Sequence, residues 1–204
     1  MTELDSFFPI IRQYAPGVAD LSAAFGVRQA AIEFCERTRL WRYEDEFDVT
    51  DDEDLLCPSG AVIHEIETIR FNDGKLEPAT TQYLDRAMPD WRTETQTSNP
   101  RYYTQTAPDT LRLVPRCSGH VNVYLWLKPS QDCDELPDFI GDKYRETIAH
   151  GALSRILLIP NQSFTSGDLA GAFGASFQSK LDSLSTKGST GQQRARARVR
   201  GTFF

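Results

Sequence analysis

Chemistry needs particular side chains at particular spacings, and the 204-residue chain offers a few candidates. His64, His120 and His150 are far apart and show no HxxxH, HExxH or HxH pattern. A metal site from them would need the fold to gather them. His64 and Glu65 are neighbours in a β-rich stretch, so their side chains point to opposite faces. A nucleophile needs an adjacent base, yet there is no GxSxG, and Ser118-Gly119-His120 lacks a setting for a triad. Gly167, Gly171 and Gly174 in GDLAGAFG lack the Lys-Ser/Thr of a phosphate loop and do not follow a strand. They read instead as small residues that let helices pack closely. Residues 44–54, EDEFDVTDDED, hold eight acids in eleven positions but not the ligand order or glycine of an EF-hand loop. They predict an acidic edge strand and a solvated loop, because edge charges discourage stray sheet pairing. The sequence therefore predicts no catalytic residue, no metal ligand and no cofactor.

The sharpest pattern is at the C-terminal end. Arg194, Arg196, Arg198 and Arg200 alternate with Ala195, Ala197 and Val199, and Gly201-Thr202-Phe203-Phe204 follows. In an extended chain this places four guanidinium groups on one side and small apolar groups on the other. Gly188, Ser189, Thr190 and Gly191 predict a flexible hinge. From Gly188 onward the segment spans roughly 55 Å if extended. Two readings compete: a solvated basic tail, or an arm that orders on a partner. In the second, arginines meet acidic groups and Phe203 and Phe204 enter apolar pockets. Four arginines without interleaved stacking aromatics are thin for nucleic-acid binding.

Charge follows the same division. The net charge is −7, and residues 188–204 contribute +4, so the rest carries −11. Such a body does not neutralise phosphates, which excludes tight DNA binding by it. At 40% hydrophobic and 25% charged, the chain has the composition of a folded protein, not a disordered one. Cys35, Cys57, Cys117 and Cys133 form no CxxC pair and read as free thiols in a reducing compartment. MTELDSFFPII has no basic region or cleavage site, and no apolar run reaches ~18–20 residues. The expectation is a soluble protein made in the cytoplasm, with no membrane contact.

These candidates need elements to position them. Leu4, Phe7, Phe8, Ile11 and Tyr14 predict a helix over 3–15, and Pro16-Gly17 ends it. Leu21, Ala24, Val27, Ala31, Phe34 and Leu40 form a helical stripe ending near Trp41. The period then changes to two. Val62–Phe71 predicts a strand, Asn72-Asp73-Gly74 a hairpin turn, and 75–80 the return. Residues 83–91 predict a short helix stopped near Pro89. A second hairpin spans 101–106 and 110–115, turning at Pro108-Asp109. HVNVYLWLK, 120–128, is a further strand, giving four to six in all. Helix returns over 136–159, with Gly151-Ala152 permitting close packing, and again from Ser166 to about Leu184 through Leu169, Phe173, Phe177, Leu181 and Leu184. The predicted class is α+β: a bundle of about four helices (1–42 and 130–187), a β-rich insertion (43–129) between its second and third long segments, and an extended C-terminal arm (188–204).

That order of elements resembles a known family. With it go RQAAIEFCERTRLWR, DTLRLVP, YLWLKPS and LPDFIGDKYRETIAHGALSRILLIP. Nearly the whole chain resembles the head-to-tail adaptor (connector) proteins of tailed bacteriophages, most closely the tail tubular protein A-like kind. The resemblance implies a homo-oligomeric ring, typically a dodecamer, beneath the portal protein. It implies a structural virion protein of the neck, assembled in the host cytoplasm, around a channel for double-stranded DNA that passes without specific binding. Arg194, Arg196, Arg198, Arg200, Phe203 and Phe204 would form the portal-docking arm. The hairpins at Asn72, Asp73, Gly74 and at Pro108, Asp109 would face the tail nozzle or fibre proteins. Competing readings are another virion component, such as a head-completion or baseplate protein, and a small nucleic-acid-processing enzyme. The lack of a clustered His, Cys or carboxylate set argues against the enzyme.

Overall fold

The hydrophobic period changes from helical to alternating near Trp41 and back near Pro129, and the molecule divides at those points. The computed structural model describes residues 1–50, 55–93 and 99–190. In chain order its elements are strand β1 (Thr2–Glu3), a 3-10 turn (Leu4–Phe7), α1 (Phe8–Tyr14), α2 (Asp20–Thr38), β2 (Arg42–Val49), β3 (Leu55–Leu56), β4 (Ala61–Phe71), β5 (Gly74–Lys75), β6 (Glu77–Pro78), α3 (Thr81–Ala87), β7 (Tyr102–Thr104), β8 (Thr110–Val114), β9 (Gly119–Pro129), β10 (Glu135–Leu136), α4 (Asp138–Lys143), α5 (Arg145–Ile156) and α6 (Gly167–Thr190). The class is α+β. One unit contains Met1–Leu40 and the chain from Pro129 onward; the other is Trp41–Lys128.

In the helical unit α2, α5 and α6 pack on one another, and α1 packs on α5. Small residues set the contact. A Cβ built on Gly151 of α5 would stand 2.8 Å from Ala30 Cβ and 2.9 Å from the Phe177 ring. One built on Gly26 of α2 would stand 3.1 Å from Ile156. These pairings run α2 antiparallel to α5. On the other side Arg37 reaches Asp182 at 2.7 Å and Gln178 donates to Glu33 at 2.6 Å, so α6 runs parallel to α2. Phe34, Ile148, Leu153, Phe177 and Leu181 fill the interior. Small residues let the backbones approach closely enough for these large side chains to interlock.

Several expectations for this unit change. The helix over 136–159 breaks at Tyr144, whose backbone leaves the helical region (φ −128°) while its ring lies 5.0 Å from that of Phe34. The same ring also meets Phe139 edge-on, at 6.4 Å. The 3–15 segment opens as β1, paired antiparallel with β10, then tightens into the 3-10 turn before α1. The hinge expected at Gly188–Gly191 does not begin at Gly188, because α6 continues to Thr190. Extending an existing helix costs little beside nucleating one. Gly167 and Gly171 face open space, and a Cβ on Gly174 would meet only Ser154, at an ordinary 3.6 Å. The close helix packing read into GDLAGAFG occurs at Gly26 and Gly151 instead.

The other unit holds two four-stranded sheets, ordered β2-β9-β4-β5 and β3-β8-β7-β6. Strand β9 is its organiser. Val121, Val123, Leu125 and Leu127 are buried, while His120, Asn122, Tyr124 and Trp126 take the other face. With Ile69, Phe71, Leu111 and Leu113 they form one core. A separate cluster of Leu84, Trp91 and Val114 seats α3, whose N-cap Thr80 accepts from the Tyr83 N–H. That helix stops at Ala87, before Pro89, and Trp91 lies beyond it. Among the described residues eight strands replace the expected four to six, because β3, β5 and β6 are two-residue pieces, too short to leave a hydrophobic period. The return after Asn72-Asp73 also splits. Residues 74–75 pair with β4, and 77–78 then cross to the second sheet, parallel to β7.

Candidate functional site

The first hairpin is a two-residue turn. Arg70 pairs with Lys75 and Phe71 with Gly74, leaving Asn72 (φ 44°) and Asp73 (φ 66°) as the central pair. Both are left-handed, as a type I′ turn demands. Gly74 is in strand, not at a positive φ; what it supplies is room, since its Cβ position lies 3.2 Å from the Phe71 carbonyl oxygen. Asn72 does more than turn: its side-chain oxygen accepts from the His120 N–H at 3.2 Å, and its N–H donates to the His120 carbonyl at 2.9 Å. Asp73, at the exposed tip, is the docking candidate of the three.

The second hairpin pairs Tyr102 with Val114 and Thr104 with Arg112. Asp109, at φ 59°, is committed internally. Its carboxylate accepts from the Ile63 N–H at 2.6 Å and its carbonyl from the Cys57 N–H at 3.2 Å. Asp109 thereby ties the loop to the start of β4, a role the turn pattern did not reveal. The arm residues Arg194, Arg196, Arg198, Arg200, Phe203 and Phe204 lie outside the described residues, as do Asp51 to Asp54.

Of the acidic run, Glu44 to Val49 belongs to β2, an edge strand. Its register against β9 puts Glu44 opposite Tyr124, Glu46 opposite Asn122 and Asp48 opposite His120. Tyr43, Phe47 and Val49 take the core face. The Glu44 carboxylate accepts from Tyr124 and raises that hydroxyl's pKa. Burial, and then a 2.6 Å bond to Asp45, push Tyr43 up to about 12. His120 Nδ1 lies 3.1 Å from Asp48, and its Nε2 3.8 Å from Glu46. At the far end Arg42 pairs with Glu67 at 2.9 Å and lies over Trp126. The result is an acidic strip with a cationic stop.

The helical unit contains a polar groove of about 390 Å³ between α5 and α6, lined by Glu146, Thr147, His150, Ser176, Ser179, Lys180 and Ser183. His150 Nδ1 stands 3.2 Å from Ser176 Oγ, with Glu146 3.8 Å from Nε2. These are the residue types of a hydrolytic triad, and sequence spacing hid them. Ser176, however, sits in the interior of α6. Helix-interior N–H groups are bonded four residues back, so none is free to stabilise an oxyanion. The groove presents hydrogen-bonding side chains from both helices. Among the described residues no cluster of three or more His, Cys, Asp or Glu is placed to hold a metal ion, and no helix is long and apolar enough to cross a membrane.

The same unit exposes large apolar side chains that periodicity assigned to its interior. Leu21 is 87% exposed, and Leu169 is also exposed, as are Phe25 and Leu158. Leu21 and Phe25 lie near the start of α2, Leu158 just past α5, and Leu169 near the start of α6. Given the helix directions, all four mark one end of the unit. Apolar groups concentrated this way are a sign of a contact surface.

All four cysteines are free. Burial raises the Cys35 thiol well above its ordinary value and Cys57 to about 11. Neither has the lowered pKa of a reactive thiol.

An exposed apolar end and an acidic sheet edge suit a protein that works by docking, an assembly component. Comparison with known families agrees. The model of the SU10 adaptor protein family matches residues 12–202. The chain belongs to this family, and is therefore a phage adaptor, a structural component of the virion. The match spans both units and runs through Arg194–Arg200. No curated protein matches the chain.

Proposed function

We propose that this protein is a head-to-tail adaptor of the tail tubular protein A-like kind. Copies form a ring, a dodecamer, that joins the portal to the tail nozzle and surrounds the DNA exit channel in the virion neck. The observation that carries the reading is the family match over residues 12–202. The exposed apolar end of the helical unit supports it, since such a surface needs a neighbour. In this reading the segment Arg194–Phe204 is the portal-docking arm. Phe203 and Phe204 at its tip anchor it in apolar pockets of the portal. The tips at Asn72–Gly74 and Pro108–Asp109 face the tail.

A net charge of −7 suits a channel protein. Like charge keeps DNA contacts short-lived, so the duplex passes without specific binding. The test is to mix the purified chain with its portal and follow the mass by sedimentation velocity. The expected result is a monomer alone and a ring of defined copy number on the portal. A chain that stays monomeric in the presence of portal overturns the proposal.

A further inference from the structure

The outer edge of β2 presents a strand-docking site whose pattern is matched elsewhere in the same chain. Residues of an antiparallel pair alternate between those bonded to the partner strand and those whose N–H and C=O point away. The Trp41 carbonyl accepts from the Leu127 N–H, which makes the odd-numbered residues of β2 the bonded ones. The backbone groups of Glu44, Glu46 and Asp48 therefore point outward, and no strand lies on that side among the described residues. The Glu46 N–H is instead held by the Asp45 carboxylate at 2.9 Å. The edge thus directs main-chain groups away from β9, one of them capped by a side chain.

Its side chains specify which strand. Glu44, Glu46 and Asp48 share the face that carries Tyr124, Asn122 and His120, at a repeat of about 6.8 Å. Tyr43, Phe47 and Val49 share the core face. Residues 194–200 have the complementary alternation: arginine at 194, 196, 198 and 200, and Ala195, Ala197 and Val199 between them. Set beside β2, the arginines would fall opposite the three carboxylates. The small apolar residues would fall on the face of Tyr43, Asp45, Phe47 and Val49.

We propose that residues 194–200 of one copy add as a strand to the β2 edge of a second copy, latching neighbouring subunits. The contact joins main-chain pairing with alternate-residue recognition. Cross-strand opposite-charge pairs supply the selectivity. His120 stands against Asp48 and Glu46 and yields part of that charge to the incoming arginines. The Asp45 carboxylate leaves the Glu46 N–H when the arm's carbonyl arrives. The Phe203-Phe204 tip stays beyond the strand, free for the portal. The latch rests on the proposed ring only in needing a second copy.

The test uses the full chain with a photo-reactive residue at Ala197. Isotopically light and heavy copies are mixed, with and without portal, irradiated and mapped by mass spectrometry. Light-to-heavy cross-links should form in the mixture with portal and fall within residues 41–49. The charge reversal E44K/E46K/D48K should cut their yield about tenfold, as should R194E/R196E/R198E/R200E, and combining the two should restore it. Circular dichroism of each variant separates loss of docking from loss of fold, and a variant that does not fold is replaced by E44Q/E46Q/D48Q. Cross-links only within one copy, cross-links elsewhere, or failure of the combined reversal to restore yield each overturn the latch. Portal-dependent rings without the cross-link leave the adaptor reading and remove the latch. The cross-link without rings does the reverse.

Discussion

Gly151 and Gly171 show how differently one residue type behaves on consecutive helices. Gly151 has no room for a methyl group: the nearest atoms would be Ala30 Cβ at 2.8 Å and the Phe177 ring at 2.9 Å. Gly151→Ala is expected to cost about 1–3 kcal/mol, because the crowding falls where α2, α5 and α6 meet. Gly171 meets nothing within 4 Å. Gly171→Ala is expected to stabilise by about 1 kcal/mol through helix propensity alone. Urea midpoints of the two variants should therefore move in opposite directions. The thiols give a second test at this scale. An unfolded thiol ionises near 9, whereas folded Cys57 keeps its proton to about 11. Its folded pKa is raised, so this contribution to stability is complete below the unfolded value. It is lost as pH rises from about 9 through 11. Alkylation of Cys57 in the native protein at pH 8 should be much slower than in denaturant, with Cys35, the more deeply buried, slower still.

The elements were legible where a period was long and plain. HVNVYLWLK became the central strand, and the stripe Val27, Ala31, Phe34 became the buried face of α2. Legibility failed where tertiary contact overrides local pattern. Leu21 and Leu169 fit helical stripes yet lie exposed at the ends of their helices, where a stripe runs past the neighbour it packs on. The break at Tyr144, whose ring packs on Phe34 and Phe139, left no trace in a continuous helical pattern. The Ser176–His150 pair, 26 residues apart, is visible only after α5 and α6 pack. Asp109 is the clearest test of a role found only in the structure. The turn pattern made it a loop tip; the fold makes it the acceptor for the Ile63 N–H at 2.6 Å. Asp109→Ala leaves that partly buried donor without its partner and puts a Cβ-bearing aliphatic residue at φ 59°. The expected cost is about 2 kcal/mol, and Asp109→Asn, which keeps both an acceptor and tolerance of that backbone, should recover most of it. Hydrogen exchange at Ile63 should rise in the alanine variant before global unfolding does.

For the whole molecule the useful contrast is between a body of charge −11 and an arm of charge +4. If DNA passes the ring without being held, neither the full chain nor one ending at Thr190 should retain duplex DNA at physiological salt. Any residual affinity at low salt would have to come from the arm. Each phosphate neutralised adds about 0.9 to the slope of log K against log salt, so four arginines contribute at most roughly 3.6. Removing residues 191–204 should abolish that slope, leaving the folded units as judged by circular dichroism, while portal binding is lost. Tight binding by the truncated chain would locate a DNA site on the acidic body and contradict the charge argument. Retained portal binding by the same protein would take the docking role away from the arm. The two readouts fail independently, because one depends on charge released as counterions and the other on a specific partner surface.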